Sequence, residues 1–89
     1  MTPGATAVAL AYGDGDAAPR VVARGRGELA ETIVRLAREA GVEIREDAGL
    51  ARLLLAVPLD DRIPPALYVA VAEVLAWVFR EEQRARRRR

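Results

Sequence analysis

Residues 20–46 read RVVARGRGELAETIVRLAREAGVEIRE, and this stretch decides the predicted fold. Its short β-branched start predicts a strand over residues 20–24. After the glycine-rich break, apolar positions recur at the spacing of an amphipathic helix from residue 28 to residue 40. Residues 42–46 alternate between apolar and charged side chains, which predicts another strand. The order strand, helix, strand implies a right-handed crossover between parallel strands.

The flanking segments complete the predicted order β-β-α-β-α-α. Residues 6–12 alternate and predict a first strand. Asp47 is a typical N-cap for a helix over residues 48–57, and Pro58 ends that helix. Residues 65–84 predict a third helix. The fold class is therefore α/β, borderline α+β: a small mixed sheet of about three strands flanked by three helices in a three-layer arrangement.

The third predicted helix is apolar on most sides, with Glu73 as its only charge before Arg80. Such a helix is either buried on most sides or offers a face to a partner. Arg52 and Glu73 are candidates for an ion pair between the second and third helices, in a structural role. The sequence leaves the choice between full burial and partner contact open.

Length and charge predict one domain with a basic tail. The 89 residues suffice for a single modest core, and a hydrophobic content of 52% excludes a disordered chain. Residues 1–83, the predicted domain, carry nine arginines and thirteen acidic residues, a net charge of −4. Residues 84–89, the predicted tail, add five arginines and no acid. The tail is either a solvated helix end or a contact for nucleic acid, anionic lipid or an acidic protein.

The residue types that are missing argue against catalysis. The chain has no His, Cys, Ser, Lys or Asn, which removes the commonest general base and most nucleophiles. The acidic residues at positions 14 and 16 form a turn rather than a calcium loop, so neither a metal nor a cofactor is expected. The apolar stretch at residues 66–79 is too short to span a bilayer, and no signal peptide is apparent. We expect a soluble, intracellular protein that is not an enzyme.

Several segments carry a family resemblance. They are AVALAY at residues 7–12, Ala18-Pro19, VVARG at residues 21–25, LARLL at residues 50–54, Ile63-Pro64, Leu67-Tyr68 and AVAEVLAWV at residues 70–78. In this order they resemble the cytoplasmic C-terminal domain of the FlhB/YscU/SpaS family, the export switch proteins of flagella and type III secretion systems. The resemblance covers nearly the whole chain, and the last run is its most specific part.

Family members cleave themselves at an Asn-Pro-Thr-His sequence by cyclisation of the Asn side chain. The matching positions here are Thr2, Pro3, Gly4 and Ala5, so only the proline is kept. Threonine has no side-chain amide to cyclise, and self-cleavage is therefore not expected. The chain resembles the already cleaved C-terminal fragment as a stand-alone polypeptide. The strand that precedes the cleavage site in the family is missing, which implies an open edge beside the first strand.

The resemblance implies a non-enzymatic interaction module of the protein export apparatus. Implied partners are the membrane portion of a full-length relative, the export gate and export substrates, and the implied location is cytoplasmic, peripheral at the gate on the inner face of the membrane. The implied substrate contact is a small apolar patch formed by Ala18, Pro19, Ala72 and Leu75. The alternative is that these four residues pack as ordinary core and loop residues.

Two questions stay open at this point. The sequence does not decide between a flagellum and a secretion needle, or between replacing and supplementing a full-length relative. A competing function is a nucleic-acid or anionic-membrane module that uses residues 84–89. The acidic body and the absence of an aromatic stacking sheet or a basic recognition helix argue against nucleic acid.

Overall fold

The computed structural model describes residues 5–13 and 15–87. It contains a small antiparallel sheet and three helices, which confirms a mixed helix-and-sheet fold. In chain order the elements are β1 (Thr6–Ala11), β2 (Arg20–Arg26), α1 (Glu28–Glu39), α2 (Ala48–Leu54), a 3₁₀ turn (Pro65–Leu67) and α3 (Tyr68–Arg87).

Strands β1 and β2 form an antiparallel hairpin whose two faces differ in side-chain size. Val8 and Leu10 lie on one face and pack against the hydrophobic core. Ala7 lies on the other face, directly opposite Gly25 of β2. A bulge between Ala9 and Leu10 interrupts the register. Bulges increase the local twist of a sheet, which helps this short hairpin to curve around the core.

Helix α1 packs on the face of small residues. A Cβ atom added to Gly25 would clash with the side chain of Leu29 in the first turn of α1. Ala30, in the same turn, is fully buried. Gly27 precedes the helix with φ 57°, a conformation that costs glycine little. The small residues therefore allow the helix to approach the sheet closely.

The predicted third strand at residues 42–46 is wrong. Gly41, with φ 74°, ends α1, and the Val42 amide donates back to the carbonyl of Ala37 at 2.9 Å. The following residues belong to no strand. Val42 is 57% exposed while Ile44 is half-buried. The alternation of residues 42–46 thus reflects the partial burial of Ile44 alone, and this segment pairs with no strand.

A different segment, after α2, lies beside β2. Val21 accepts a backbone hydrogen bond from Asp60 (2.7 Å) and donates one to Asp61 (3.0 Å). The Ile63 amide donates to the carbonyl of Pro19 at 2.9 Å. This bridge is antiparallel, so the predicted parallel pairing and right-handed crossover are also wrong. At Pro19 to Val21, the outer edge of β2 is therefore paired with this segment.

Helix α2 begins as predicted but is shorter. The carboxylate of Asp47 accepts a hydrogen bond from the Leu50 amide at 3.0 Å, which confirms Asp47 as the N-cap. The helix ends at Leu54 instead of continuing to residue 57. The amides of Ala56 and Val57 bond to carbonyls three residues back, the tighter pattern of a terminating turn.

One side of α3 completes the core. The core cluster consists of Ala18, Val21, Leu50, Leu54, Val57, Ile63 and Val71. Val71 is fully buried, and Val74 and Leu75 pack partly buried against the cluster. Val69 and Phe79, on other sides of α3, are 75% and 52% exposed. The helix is therefore buried along one side only, which excludes full burial, while contact with a partner stays a prediction.

Candidate functional site

An apolar cleft of about 190 Å³ opens between the loop after β1 and the first turns of α3. Its lining residues are Tyr12, Ala17, Ala18, Pro19, Ile63, Tyr68, Val71, Ala72 and Leu75. Ala18, Ile63 and Val71 are buried and belong to the core. Tyr12 and Tyr68 are each about half exposed, at 48% and 47%. The cleft thus has a buried floor and two half-exposed aromatic side chains.

Two local structures position the cleft. In the loop after β1, the Gly13 amide donates to a carboxylate oxygen of Asp16 at 2.9 Å, and the Asp16 amide donates to the Gly13 carbonyl at 3.0 Å. This turn returns the chain so that Pro19 bonds to Ile63 on the floor. On the other side, the 3₁₀ turn begins at Pro65 and leads into α3 at Tyr68.

The four predicted contact residues all line this cleft. Ala18 and Pro19 are buried, Leu75 is half-buried and Ala72 is exposed. Ala18 and Leu75 also pack in or against the core, as the alternative interpretation expects. Whether these residues contact a substrate stays a prediction.

The sequence interpretation missed the other lining residues, above all the two tyrosines. Tyr12 follows β1 and Tyr68 begins α3, more than fifty positions apart. The segment after α2 brings them to one cleft by pairing with β2, and no sequence pattern indicates that pairing. The available signal was chemical: each is an aromatic residue at the end of an element, where partly exposed rings serve binding.

The lining is mainly apolar. Among the described residues that line the cleft, the polar side-chain groups are the hydroxyls of Tyr12 and Tyr68, with neither a carboxylate nor a basic nitrogen. In residues 5–13 and 15–87, no three acidic side chains are grouped to hold a metal ion. The volume is below the roughly 300–1,000 Å³ of typical small-molecule sites. A cleft of this size and polarity suits one or two apolar side chains of another polypeptide.

The degenerate cleavage positions precede β1 in the sequence. Thr2, Pro3 and Gly4 fall outside the described residues. The carbonyl of Ala5 accepts a hydrogen bond from the Gly27 amide at 2.8 Å. That bond and the register make Thr6 the first non-hydrogen-bonded position opposite β2. The amide of Val8, two residues on, therefore points away from β2.

Two further sequence predictions concern β1 and Glu73. Within the described part of the chain, β1 pairs with β2 alone, so its outer edge is open there. The Arg52–Glu73 ion pair does not form between these two described side chains. Instead, the guanidinium of Arg45 donates to the backbone carbonyl of Glu73 at 3.5 Å. The loop after α1 is thereby tied to α3.

Comparisons with known proteins agree on one family. A family model described as "FlhB HrpN YscU SpaS Family" matches residues 1–78. YlqH of Bacillus subtilis is 43% identical over 84 residues, covering 93% of this chain and 90% of YlqH. The flagellar biosynthetic protein FlhB of Aquifex aeolicus is 41% identical over 75 residues, covering 82% of this chain. The chain spans about a fifth of that FlhB, 21% of its length.

Solved structures show the same fold. The cytoplasmic domain of FlhB from Shewanella putrefaciens superimposes with a TM-score of 0.86 at 39% identity, covering 91% of this chain and 68% of that one. The PscU C-terminal domain gives 0.77 at 35% identity, covering 81% and 94%. No helix among the described residues combines the length and apolar character that crossing a bilayer requires. By sequence and by fold, the chain belongs to the FlhB/HrpN/YscU/SpaS family of flagellar and type III export switch proteins.

Proposed function

We propose that this chain is a non-enzymatic interaction module of the flagellar or type III export apparatus, and that its apolar cleft contacts export substrates. One observation carries the proposal: Ala18, Pro19, Ala72 and Leu75, which family resemblance singled out as a patch, line one cleft. The floor of the cleft is buried, formed by Ala18, Ile63 and Val71 of the core. The cleft would take an apolar side chain from an unfolded or extended segment of a substrate.

Burial of such a side chain supplies the affinity in this proposal. Fully burying a Leu, Val or Phe side chain is worth about 1.5–3 kcal/mol. One such contact gives a weak, reversible complex, since association itself is costly. Weak binding suits a component that inspects many substrates in succession. The two tyrosine rings enlarge the contact at little cost in side-chain entropy.

Docking to the export apparatus is the second part of the proposal. We place the module in the cytoplasm, at the export gate on the inner face of the membrane, against the membrane portion of a full-length relative. Among the described residues, the outer edge of β1 has no strand partner, and this supports docking because an unpaired edge can accept a strand from another chain. Adding that membrane portion should slow hydrogen exchange at the Val8 amide. An exchange rate that stays the same when the complex forms contradicts strand addition.

The absence of enzymatic function is also a proposal. Self-cleavage by the family route needs an asparagine amide, and position 2 is a threonine in a chain without asparagine. Apart from the hydroxyls of Tyr12 and Tyr68, the described residues that line the cleft offer no acid–base group.

A pair of substitutions on α3 tests the substrate contact. Ala72 and Ala76 are both exposed and lie one helical turn apart, but only Ala72 lines the cleft. Ala72→Glu places a charge in the cleft and should weaken binding of export substrates about tenfold or more, measured by calorimetry. Ala76→Glu adds the same charge outside the cleft and should leave the affinity nearly unchanged. Equal affinities of the two folded variants would refute the assignment of the cleft.

A further inference from the structure

We propose that the C-terminal half of α3 lies on an anionic lipid bilayer, with Phe79 at the headgroup boundary and Arg80, Arg84, Arg86 and Arg87 against lipid phosphates. This inference rests on α3 alone and does not depend on the proposed function. It would add a contact for the protein that the cleft does not provide.

The helix leaves the body of the protein before it ends. Val78 and Glu81 are the last half-buried residues of α3, and residues 82–87 are exposed on every side. These six residues form about 9 Å of helix that does not pack against the core. An isolated helix this short is marginal in water, so a surface that orders it would stabilise it.

An apolar stripe runs along the outer side of α3 and ends at Phe79, one turn before the part of the helix that projects from the body. Val69, Ala72, Ala76 and Phe79 follow one another at helical spacing and are all exposed. Val69 is 75% and Phe79 52% exposed. Ala72 also lines the cleft, so the stripe begins there. The part of the stripe next to the arginines is Ala76 and Phe79.

A row of arginines flanks this end of the stripe on one side. Arg80, Arg84 and Arg87 recur at four- and three-residue spacing and form that row. Arg86 lies one heptad beyond Phe79, nearly in line with it. All four arginines are exposed. An apolar strip with a large aromatic residue beside a row of arginines is typical of helices that lie in a membrane interface.

Acidic residues on the same helix limit the footprint. Glu82 is exposed one turn beyond Phe79, on the side away from the row of arginines, so that row is the main contact. Glu73 is exposed on the arginine side but precedes Arg80 by two turns, so it lies outside the proposed contact. Arg84 pairs with Glu81 at 3.2 Å, with side chains 67% and 29% exposed. An ion pair this exposed is weak and leaves the guanidinium able to meet a phosphate.

A bilayer fits these features better than the other candidate surfaces. A nucleic acid would use the arginines but leave Phe79 and Ala76 in water. A second copy of the chain would cover the stripe but would bring its own row of arginines close to the first in a parallel pairing. In an anionic bilayer, Phe79 can insert at the boundary of headgroups and acyl chains while the arginines bind lipid phosphates.

Vesicle flotation of the full chain tests the proposal. The probes are vesicles of phosphatidylglycerol and phosphatidylcholine in equal parts, and vesicles of phosphatidylcholine alone. We expect binding to the anionic vesicles only, weakened by salt. The double variant Arg84→Gln, Arg87→Gln should bind roughly 30-fold more weakly, about fivefold for each arginine. Phe79→Gln should weaken binding about tenfold.

A matched control lies on α1. Arg35→Gln with Arg38→Gln also removes two exposed arginines and one ion pair, Arg35–Glu39 at 3.4 Å. This control should bind the anionic vesicles like the unmodified chain. Circular dichroism checks that each variant is folded. If Phe79→Gln unfolds, the comparison of the Arg84→Gln, Arg87→Gln double variant with the α1 control tests the proposal.

Four results would overturn the proposal. The first two are no binding to anionic vesicles and binding to neutral vesicles as tight as to anionic ones. The third is an equal loss of affinity in the Arg84→Gln, Arg87→Gln variant and in the α1 control. The fourth is an undiminished affinity of folded Phe79→Gln. Tighter binding of duplex DNA with no dependence on Phe79 would assign the surface to nucleic acid. A dimer in sedimentation that Phe79→Gln dissociates would assign it to a second copy.

Discussion

Gly25 shows how one residue fixes the distance between the sheet and α1. It lies opposite Ala7 in the hairpin, and its missing side chain leaves room for Leu29. The two elements thereby bury Ala30, which is fully inaccessible. The glycines at residues 25–27 indicated a break before a helix. They did not indicate the contact between Gly25 and Leu29, because that contact arises only when the helix packs on the sheet.

We expect Gly25→Ala to destabilise the protein by about 1–3 kcal/mol, the usual cost of forcing atoms into a packed region. A methyl group at this position would overlap Leu29 at its Cβ as well as at the flexible end of its side chain. Urea denaturation measures the free energy of unfolding. Gly13→Ala is the matched control, because a Cβ atom there meets nothing within 4 Å. Equal stabilities of the two variants would contradict the close approach.

Among the secondary-structure elements, sequence patterns located the start of α2 correctly but did not predict which segments pair as strands. Asp47 identified the start of α2 because capping depends on residues three apart. The alternation at residues 42–46 predicted a strand and was wrong, since alternation indicates a face but no partner. The residues that do pair with β2, Asp60 to Ile63, carry no strand pattern. Asp60, the first of these paired residues, adopts φ 67°, a turn conformation.

Asp47→Ala tests the cap of α2. The loss of its hydrogen bond to the Leu50 amide should lower the free energy of unfolding by about 1 kcal/mol. The helix is only seven residues long and carries Leu50 and Leu54 into the core, so fraying would reach buried side chains. The control is Asp61→Ala, because the hydrogen bonds of Asp61 to Val21 and Pro58 are made by its backbone and not by its side chain. A larger loss in the control than in Asp47→Ala would contradict the capping argument.

At the scale of the whole molecule, the chain offers three different surfaces around one small core. They are the cleft beside Tyr68, the outer edge of β1 and the basic end of α3. The positions of the cleft came from family resemblance, since no pattern of charge or spacing in Ala18, Pro19, Ala72 and Leu75 indicates a site. Its shape and its tyrosines came from the structure. The basic tail was evident from the sequence, but the apolar stripe beside it needed the burial of α3 to be known.

Chemical-shift mapping by NMR with an export substrate tests the central claim most directly. The isotope-labelled chain is titrated with the unlabelled substrate, and shift changes are followed at backbone amides. We predict that the largest changes cluster around Ala18, Tyr68 and Ala72 and are absent from the exposed side of α1. Changes of similar size spread over α1, or a titration without changes, would contradict a substrate-binding cleft.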